Sequence, residues 1–461
     1  MPLMHMKPFA KSLARLATGV LLALAAAAAG AQQDVGRVTF VQGVSSAQAP
    51  GQDPRFLAQG DPIRAGEIIN TSGRGYAVVG LTDGTKMTLR SNTTFVVDEL
   101  NRTAGSESLL MRLVRGGLRT ITGSISKARP NAARLSTPTA TVGIRGTEFD
   151  ARICGPECRR EAQFAQPGPA AASQDAVVAR LVALRGAATA VTGAGASRAL
   201  ANGAAVYNGE SVRTAADSHA VLAFRDQTKV TLIAQTDFRL EDVRMLPAQA
   251  AQGNYFVRLI TGGIRTVTGA IGRANRSNVR FVTPTATVGI RGTGIDILVT
   301  AEGTQMTTWE GAASLEGGGA EVVVEKDRAA QFHPARGAPH LLDAIPQAFL
   351  DQTAPRPDTV EVDFETLFAV RRTEDYAPGL YIGMREGDTN IAARGGAIDL
   401  GPLEAGALFD GAETPVRIEP LPGFLFNDPF PIPDDNNLRP LRLIELLGPG
   451  RDSGSDQCLL Q

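Results

Sequence analysis

The stretch Thr137-Pro138-Thr139-Ala140-Thr141-Val142-Gly143-Ile144-Arg145-Gly146-Thr147 decides the fold, because the same eleven residues return at 283–293. Carried upstream without gaps, residues 109–147 and 255–293 share 22 of 39 positions. Further upstream the two copies stay matched at a slightly shorter spacing, which pairs Gly43 with Gly186 and Gly66 with Gly209. The sequence therefore predicts two homologous units, at 35–160 and 178–335.

Both units have the pattern of short β-strands. Alternating apolar runs flank Asp83-Gly84, which predicts a hairpin with positive φ at both central residues. The second unit has Asp226-Gln227 instead, and since Gln disfavours positive φ, we expect a different turn there. Frequent glycines exclude long helices. The predicted class is all-β, with units resembling a β-solenoid or a sandwich.

Three further segments follow the second unit. The pattern of residues 310–332 is echoed at 386–409, which predicts a small third β unit at 376–427. Residues 336–375 are predicted to be a linker with some helix. The proline-rich and acidic tail at 428–461 favours extended structure that is flexible or laid along another surface.

The N-terminal segment 1–31 has the layout of a secretory signal peptide. Lys7, Lys11 and Arg15 precede an apolar run, and Ala29-Gly30-Ala31 supplies a small-residue cleavage pattern. The sequence therefore predicts cleavage near Ala31 and a periplasmic or secreted protein. The alternative is an uncleaved membrane anchor, although the run is shorter than the ~20 residues of a membrane span.

Composition and motifs argue against several function classes. The 461 residues carry 46 basic and 47 acidic side chains, so net charge offers nothing to hold nucleic acid. The four histidines form no H-E-x-x-H motif, and neither a nucleophile elbow nor a phosphate-binding loop is present. Asp83 and Asp226 are interpreted as structural turn residues. We expect no enzyme activity, no cofactor and no metal.

The three cysteines are interpreted by their spacing. Cys154 and Cys158 are separated by three residues, which does not fit the C-x-x-C of zinc or redox sites, and no second pair completes a ligand set. An exported protein favours a local disulfide between them. Cys458 then stays as a free thiol or an intermolecular link.

Each unit resembles the FecR domain, the periplasmic domain named after the iron-dicitrate sensor. The residues that carry the resemblance are Gly60-Asp61, Ile63, Gly66, Asp83-Gly84-Thr85, Gly116-Gly117 and 137–147, with Gly203, Gly209, Asp226, Thr228, Gly262-Gly263 and 283–293 in the second unit. The resemblance implies a solenoid-like all-β fold and relay of a signal from an outer-membrane receptor to a sigma factor. Sensors of this family carry a cytoplasmic regulator before a membrane span, whereas here the apolar run already begins at Leu16.

Arginines are concentrated in the matched segments 109–147 and 255–293, which contain no acid. The functional interpretation is a pair of basic stripes that attract an anionic partner. The alternative is pairing with acids of the same unit, such as Asp98, Glu99, Glu241 and Asp242. Candidate binding residues are Arg112, Arg115, Arg119, Arg145, Arg258, Arg265 and Arg291. For Arg145 and Arg291 an architectural role is favoured over ligand contact, beside the structural glycines Gly143, Gly146, Gly289 and Gly292.

The leading hypothesis is an exported, non-enzymatic FecR-domain protein that acts as an envelope binding or signal-relay module. Its partner would be an envelope protein, with no nucleic acid and no stable membrane span after signal cleavage. The second hypothesis is a secreted or surface module that binds anionic glycan or lipopolysaccharide through the arginine stripes. Further alternatives are a FecR-type regulator of an extracytoplasmic-function sigma factor and a spacer without ligand.

Overall fold

The computed structural model describes residues 33–442, except 130–131, 165–176, 196, 246–249, 374, 435 and 437. The signal peptide predicted at 1–31 and Cys458 lie outside the described residues. The predicted all-β class is confirmed, with strands throughout and only short helices in the described part. The long helix-free stretches follow from alternating apolar residues and frequent glycines.

Domain 1 begins with eleven strands. They are β1 Asp34–Gln42, β2 Ser45–Gln48, β3 Arg55–Phe56, β4 Pro62–Arg64, β5 Ile68–Thr71, β6 Tyr76–Leu81, β7 Lys86–Leu89, β8 Thr94–Asn101, β9 Ser108–Ile121, β10 Ala133–Ser136 and β11 Thr141–Cys154. Two helices accompany them, α1 Ser124–Ala128 and α2 Pro156–Phe164.

Long strands bend so that their halves join two different ladders. The first half of β9 pairs with β8 and β10, and its second half pairs with β7 and β11. The bend lies at Gly116, whose φ of 80° suits glycine and whose added Cβ would meet Asn92 O at 2.6 Å. Side chains of both ladders form one hydrophobic core, which makes domain 1 sandwich-like.

Domain 2 repeats this arrangement. Its strands are β12 Val177–Arg185, β13 Ala188–Val191, β14 Ser197–Ala199, β15 Ala205–Tyr207, β16 Ser211–Thr214, β17 His219–Phe224, β18 Lys229–Leu232, β19 Asp237–Arg244, β20 Asn254–Val267, β21 Val279–Val282 and β22 Thr287–Thr300, with helix α3 Ala270–Ala274. It continues directly into β23 Gly303–Gly317, β24 Ala320–Glu325, β25 Arg328–Phe332 and β26 His340–Leu341. Strand β23 lies along β22 over its whole length.

The segment predicted as a separate third unit completes domain 1 instead of standing alone. After helices α4 Gln347–Leu350 and α5 Phe364–Phe368 come β27 Arg371–Arg372, β28 Gly379–Ala393, β29 Gly396–Leu400, β30 Ala405–Phe409, β31 Val416–Glu419 and helix α6 Gly423–Phe426. Strand β28 pairs with β11 from Thr141↔Ala392 to Cys154↔Gly379. The hairpin β28–β29, here called the closing hairpin, therefore occupies in domain 1 the place of β23–β24 in domain 2, and domain 2 is an insertion in domain 1.

The matched turns at Asp83 and Asp226 have one conformation, contrary to the expected difference. In both, the aspartate accepts hydrogen bonds from the N–H and hydroxyl of the threonine two residues later. Only the following residue has positive φ, 89° at Gly84 and 69° at Gln227. The expectation of positive φ at both central residues was wrong because the aspartate bonds, together with the tertiary contact of each aspartate carbonyl to a helix start, fix the turn.

Candidate functional site

A group of charged side chains joins domain 2 to the closing hairpin of domain 1. Domain 2 contributes Arg180 from β12, Arg198 from β14 and Glu210 after β15. Strands β28 to β30 contribute the acids on the other side of this contact, here called the domain interface. The two sheets thus meet through ion pairs.

Arg180 is the most enclosed of these side chains, at 1% exposed. Its guanidinium donates to Glu404 Oε1 at 2.5 Å and to the carbonyl of Gly203 at 3.1 Å. Phe368 lies against the guanidinium, 5.9 Å from ring centroid to Cζ. Arg417 approaches the same carboxylate at 4.0 Å. One carboxylate therefore links domain 2 to two strands of domain 1.

Arg198 binds two carboxylates at once. Its Nη2 donates to Glu210 within domain 2 at 2.9 Å, and its Nη1 donates to both oxygens of Asp388 on β28 at 3.2 Å. The Asp388 side chain is 2% exposed. Because Arg can donate in two directions from a planar fork, one side chain satisfies its own domain and its neighbour.

The repeated motif reaches this interface through Arg145. Its Nη1 lies 3.4 Å from Asp399 Oδ1 on β29, and both side chains are largely buried. Asp399 also faces Gly203, where an added Cβ would meet Oδ2 at 1.9 Å. Gly203 has φ of 87°, so glycine is required there by both conformation and space. Arg145 therefore holds the closing hairpin at the place where domain 2 docks.

Burial shifts the titration of the interface. It raises the pKa of Asp388 to about 6, against the attraction of Arg198 and Arg145. Burial also acts on Glu404, but Arg180 and Arg417 outweigh it, so the pKa of Glu404 lies below its usual value. Burial lowers the pKa of Arg417 to about 10. The pKa shifts of the two carboxylates thus differ in sign, and the interface carries a built-in pH response.

Arg119 lies in a second buried cluster, under the tail of domain 1. It donates to Asp150 at 2.8 Å and to Asp428 at 3.0 Å, and it is 3% exposed. Arg90 pairs with the same two acids, and Arg385 pairs with Asp150. The tail predicted from residue 428 onward is therefore laid against domain 1, where it is held again by a bond at residue 441.

Arg265 has the matching place in domain 2. It pairs with Asp296 at 3.2 Å and donates to the carbonyl of Ala354 in the linker. Trp309 donates to the same Asp296, and Arg356 stacks on its ring at 3.8 Å. Each domain thus uses an arginine at this position to bind the segment that follows its last hairpin.

The other candidate arginines are more exposed. Arg112 pairs with Asp98 and Arg258 with Glu241, acids named in the alternative interpretation of the stripes. Arg115 is exposed beside Thr94. The side chain of Arg291 lies outside what is described. The structure thus places the six described candidates in different surroundings and not in one surface.

The motif glycines lie within long paired strands, and the two described cysteines form a buried disulfide. Gly143 and Gly289 lie within paired β-strands, β11 and β22, where Gly289 leaves room for the Ser314 hydroxyl. The pairing register of β11 and β22 shifts across Gly146 and Gly292. A disulfide joins Cys154 and Cys158, both buried against Tyr381 and Phe424.

Apart from Arg145, sequence reasoning missed the residues of the domain interface. Arg180, Arg198 and Glu210 have counterparts in domain 1 at the spacing that pairs the upstream glycines, namely Arg37, Arg55 and Glu67. That recurrence is the signal that was available, because charged residues kept in both copies outside the long motif indicate a shared local structure. The partner acids Asp388 and Glu404 have no such signal.

Membrane-spanning helices and metal clusters are both absent from the described ranges within 33–442. No helix there is long and apolar enough to cross a bilayer. In the same part of the chain, no group of three or more His, Cys, Asp or Glu side chains has a geometry that would hold a metal ion.

The family "FecR protein" matches residues 67–162 and 210–314, one region in each domain. The chain therefore contains two FecR-like domains, of which the second is inserted in the first. The second region ends within β23, the strand for which domain 1 uses the distant β28.

Two solved structures are similar in part, both putative anti-sigma factors from Parabacteroides distasonis ATCC 8503. The first, at 2.50 Å resolution, is 13% identical with a TM-score of 0.25, and the match covers 30% of this chain and 62% of that one. The second, at 1.65 Å resolution, is 15% identical with a TM-score of 0.25, covering 37% of this chain and 83% of that one. No curated protein matches the chain.

Proposed function

We propose that this protein is a non-enzymatic FecR-domain protein that is exported to the cell envelope and relays a signal by binding another protein. The observation that carries the proposal is the pair of FecR-like regions, one in each domain. The signal-peptide pattern of residues 1–31 supports export.

The domain interface supports relay by a change of domain contact. A binding event that alters the geometry of Arg180 or Arg198 changes their ion pairs with Glu404 and Asp388. Because such buried pairs depend strongly on geometry, the interface has the properties of a two-state element that a partner can bias. The proposal therefore locates the relay between the two domains.

Cross-linking in intact cells tests this function. The expected result is one envelope protein captured by the full-length chain at moderate salt, with less capture by an Arg180→Met variant that separates the domains. Recovery from the cytosol of the intact chain, with segment 1–31 still attached, would contradict the proposal. Capture of the same partner at equal yield by the unmodified chain and by Arg180→Met would also contradict it, because relay through the interface requires the two yields to differ.

A second candidate function is binding of an anionic glycan. It is favoured by the exposed Arg115 and Arg280, which lie on outer strand faces of domains 1 and 2. Charge-driven binding weakens as salt rises. A purified chain that retains lipopolysaccharide at low ionic strength, and loses it on changing both arginines to Glu, supports this candidate. Retention that is unaffected by salt or by those changes removes it.

A further inference from the structure

Domain 1 contains a copy of the face by which domain 2 receives the closing hairpin. Arg37 donates to the carbonyl of Gly60 at 3.1 Å, and Arg180 donates to the carbonyl of Gly203 at the same distance. These residues lie at matching positions of β1 and β12, so the first donor of the face is duplicated in geometry as well as in sequence.

The second donor is duplicated in the same way. Arg55 Nη2 donates to the carbonyl of Pro62 at 2.6 Å and to Glu67 at 2.9 Å. Arg198 Nη2 donates to the carbonyl of Ala205 at 2.6 Å and to Glu210 at 2.9 Å. In domain 2 the remaining Nη1 then binds Asp388 of the neighbouring hairpin.

The face is exposed in domain 1, whereas the matching face of domain 2 is covered by the closing hairpin. Arg37 is exposed, whereas Arg180 is 1% exposed; Arg55 is 33% exposed, whereas Arg198 is 13% exposed. A Cβ added to Gly60 would meet nothing within 4 Å, whereas at Gly203 it would collide with Asp399. No carboxylate of the described residues lies within ion-pair distance of Arg37.

We propose that this face of domain 1, formed by Arg37, Arg55, Gly60 and Arg64, docks an acidic β-hairpin of another protein, as domain 2 docks the closing hairpin. The contacts of domain 2 indicate what this partner hairpin must carry, namely two carboxylates placed like Asp388 and Glu404. The face of domain 1 has one more cation than the face of domain 2, because Arg64 occupies the position of Tyr207. Arg64 contacts Asp34 at 3.5 Å between partly exposed groups, which contributes little, and it lies 3.4 Å from Glu67, the carboxylate that also binds Arg55.

A second copy of the chain does not supply this occupant. The closing hairpin of each copy is already held by its own domain 2. The matching part of domain 2, β23–β24 with the start of β25, carries Ala312, Val323 and Arg328. The closing hairpin and the residue before β30 carry Asp388, Asp399 and Glu404 at those positions. Without a carboxylate at those positions, the matching part of domain 2 offers no partner for the arginines.

A photo-cross-linking residue tests the inference, which rests on the proposed function. Phe56 follows Arg55, is 79% exposed, and accepts p-benzoylphenylalanine with little change of shape. Its counterpart Ala199 in domain 2 is the matched control position. Irradiated cells expressing the full-length chain should give a product from position 56, with the cross-link mapped to an acidic segment of an envelope protein, and none with that protein from position 199.

Charge variants of Arg37 make the test specific. Arg37→Glu should reduce the yield from position 56 by about tenfold or more, as expected for losing one charge-assisted bond, while Arg37→Lys keeps most of it. Arg185→Glu, an exposed change in domain 2, should leave the yield unchanged. Thermal unfolding should be the same for all three, because both arginines are exposed and Arg37 bonds only to Gly60 among the described residues.

Several results would overturn the inference. They are a product that is a second copy of this chain, a product that is lipid, a partner segment without acids, an unchanged yield with Arg37→Glu, or no product from position 56. If general cross-linking still captures an envelope protein in these cases, the proposed function stands and only this face is excluded. If neither experiment captures a partner, both fail.

Discussion

Replacing Arg180 by Met should uncouple the two domains, because it removes the central cation of the interface. Among the described residues, Glu404 then keeps Arg417 at 4.0 Å and the N–H of Gly401 at 2.8 Å. Removal of one member of a buried pair costs about 3–5 kcal/mol, and these remaining contacts place the expected loss near 3 kcal/mol. Arg37→Met is the matched control, with an expected loss below about 0.5 kcal/mol since Arg37 is exposed.

Urea unfolding followed by tryptophan fluorescence measures this loss. The chain has one tryptophan, Trp309, which lies in domain 2 and reports its unfolding. A double variant, Arg180→Met with Glu404→Met, should recover to within about 1 kcal/mol of the unmodified protein, because an apolar pair replaces the buried ions. Equal losses for Arg180→Met and Arg37→Met, or a loss below about 1 kcal/mol for Arg180→Met, would refute the reasoning.

Three other changes have expected outcomes. Gln227→Gly should stabilise domain 2 by about 1 kcal/mol, measured by urea unfolding, because it relieves a φ of 69°. The melting temperature of domain 2 should rise as pH falls through about 6, because the raised pKa of Asp388 lets it bind a proton in the folded state. The melting temperature should fall again below pH 4.5, because the pKa of Glu404 is lowered in the folded state and its protonation favours unfolding. Reduction of Cys154–Cys158 should destabilise domain 1 by about 2 kcal/mol, followed by circular dichroism, without moving the tryptophan transition.

Each of these has a control in the chain. Gly84→Gln should destabilise domain 1 by a similar amount, and a neutral result there would mean that the turn tolerates positive φ without strain. Asp388→Asn should remove the response near pH 6; an unchanged profile would assign it to another group. If reduction shifts both unfolding transitions equally, the disulfide acts beyond domain 1.

The strand content and the duplication could be predicted from sequence, since both are written in local patterns. The echo of residues 310–332 at 386–409 was also visible, but its place in domain 1 was not. Strand pairing between β11 and β28 joins segments that are far apart in the chain, and alternation alone does not specify the partner of a strand. The useful clue is that β22 is followed at once by β23, whereas β11 is followed by a helix and the insertion.

The candidate arginines show a second limit of prediction from sequence. Composition marked Arg119 and Arg265 as parts of basic stripes, but their partners Asp150 and Asp296 follow the acid-free segments closely in sequence. Asp428, which covers Arg119, is 309 residues away. Charge counts over a window cannot reveal such pairs, because the folded sheet brings distant residues together. The turn at Gln227 shows the reverse case, in which homology to Gly84 predicts the conformation better than residue preference.

The insertion of domain 2 sets an order of assembly during synthesis. When the ribosome has passed position 360, domain 2 has every strand of its sandwich, whereas the long strand β11 still presents an unpaired edge. Such an edge is a template for pairing with other chains. A chain that ends before residue 379 therefore leaves the β11 edge of domain 1 unpaired and prone to aggregate. This edge is covered only once the closing hairpin has been synthesised.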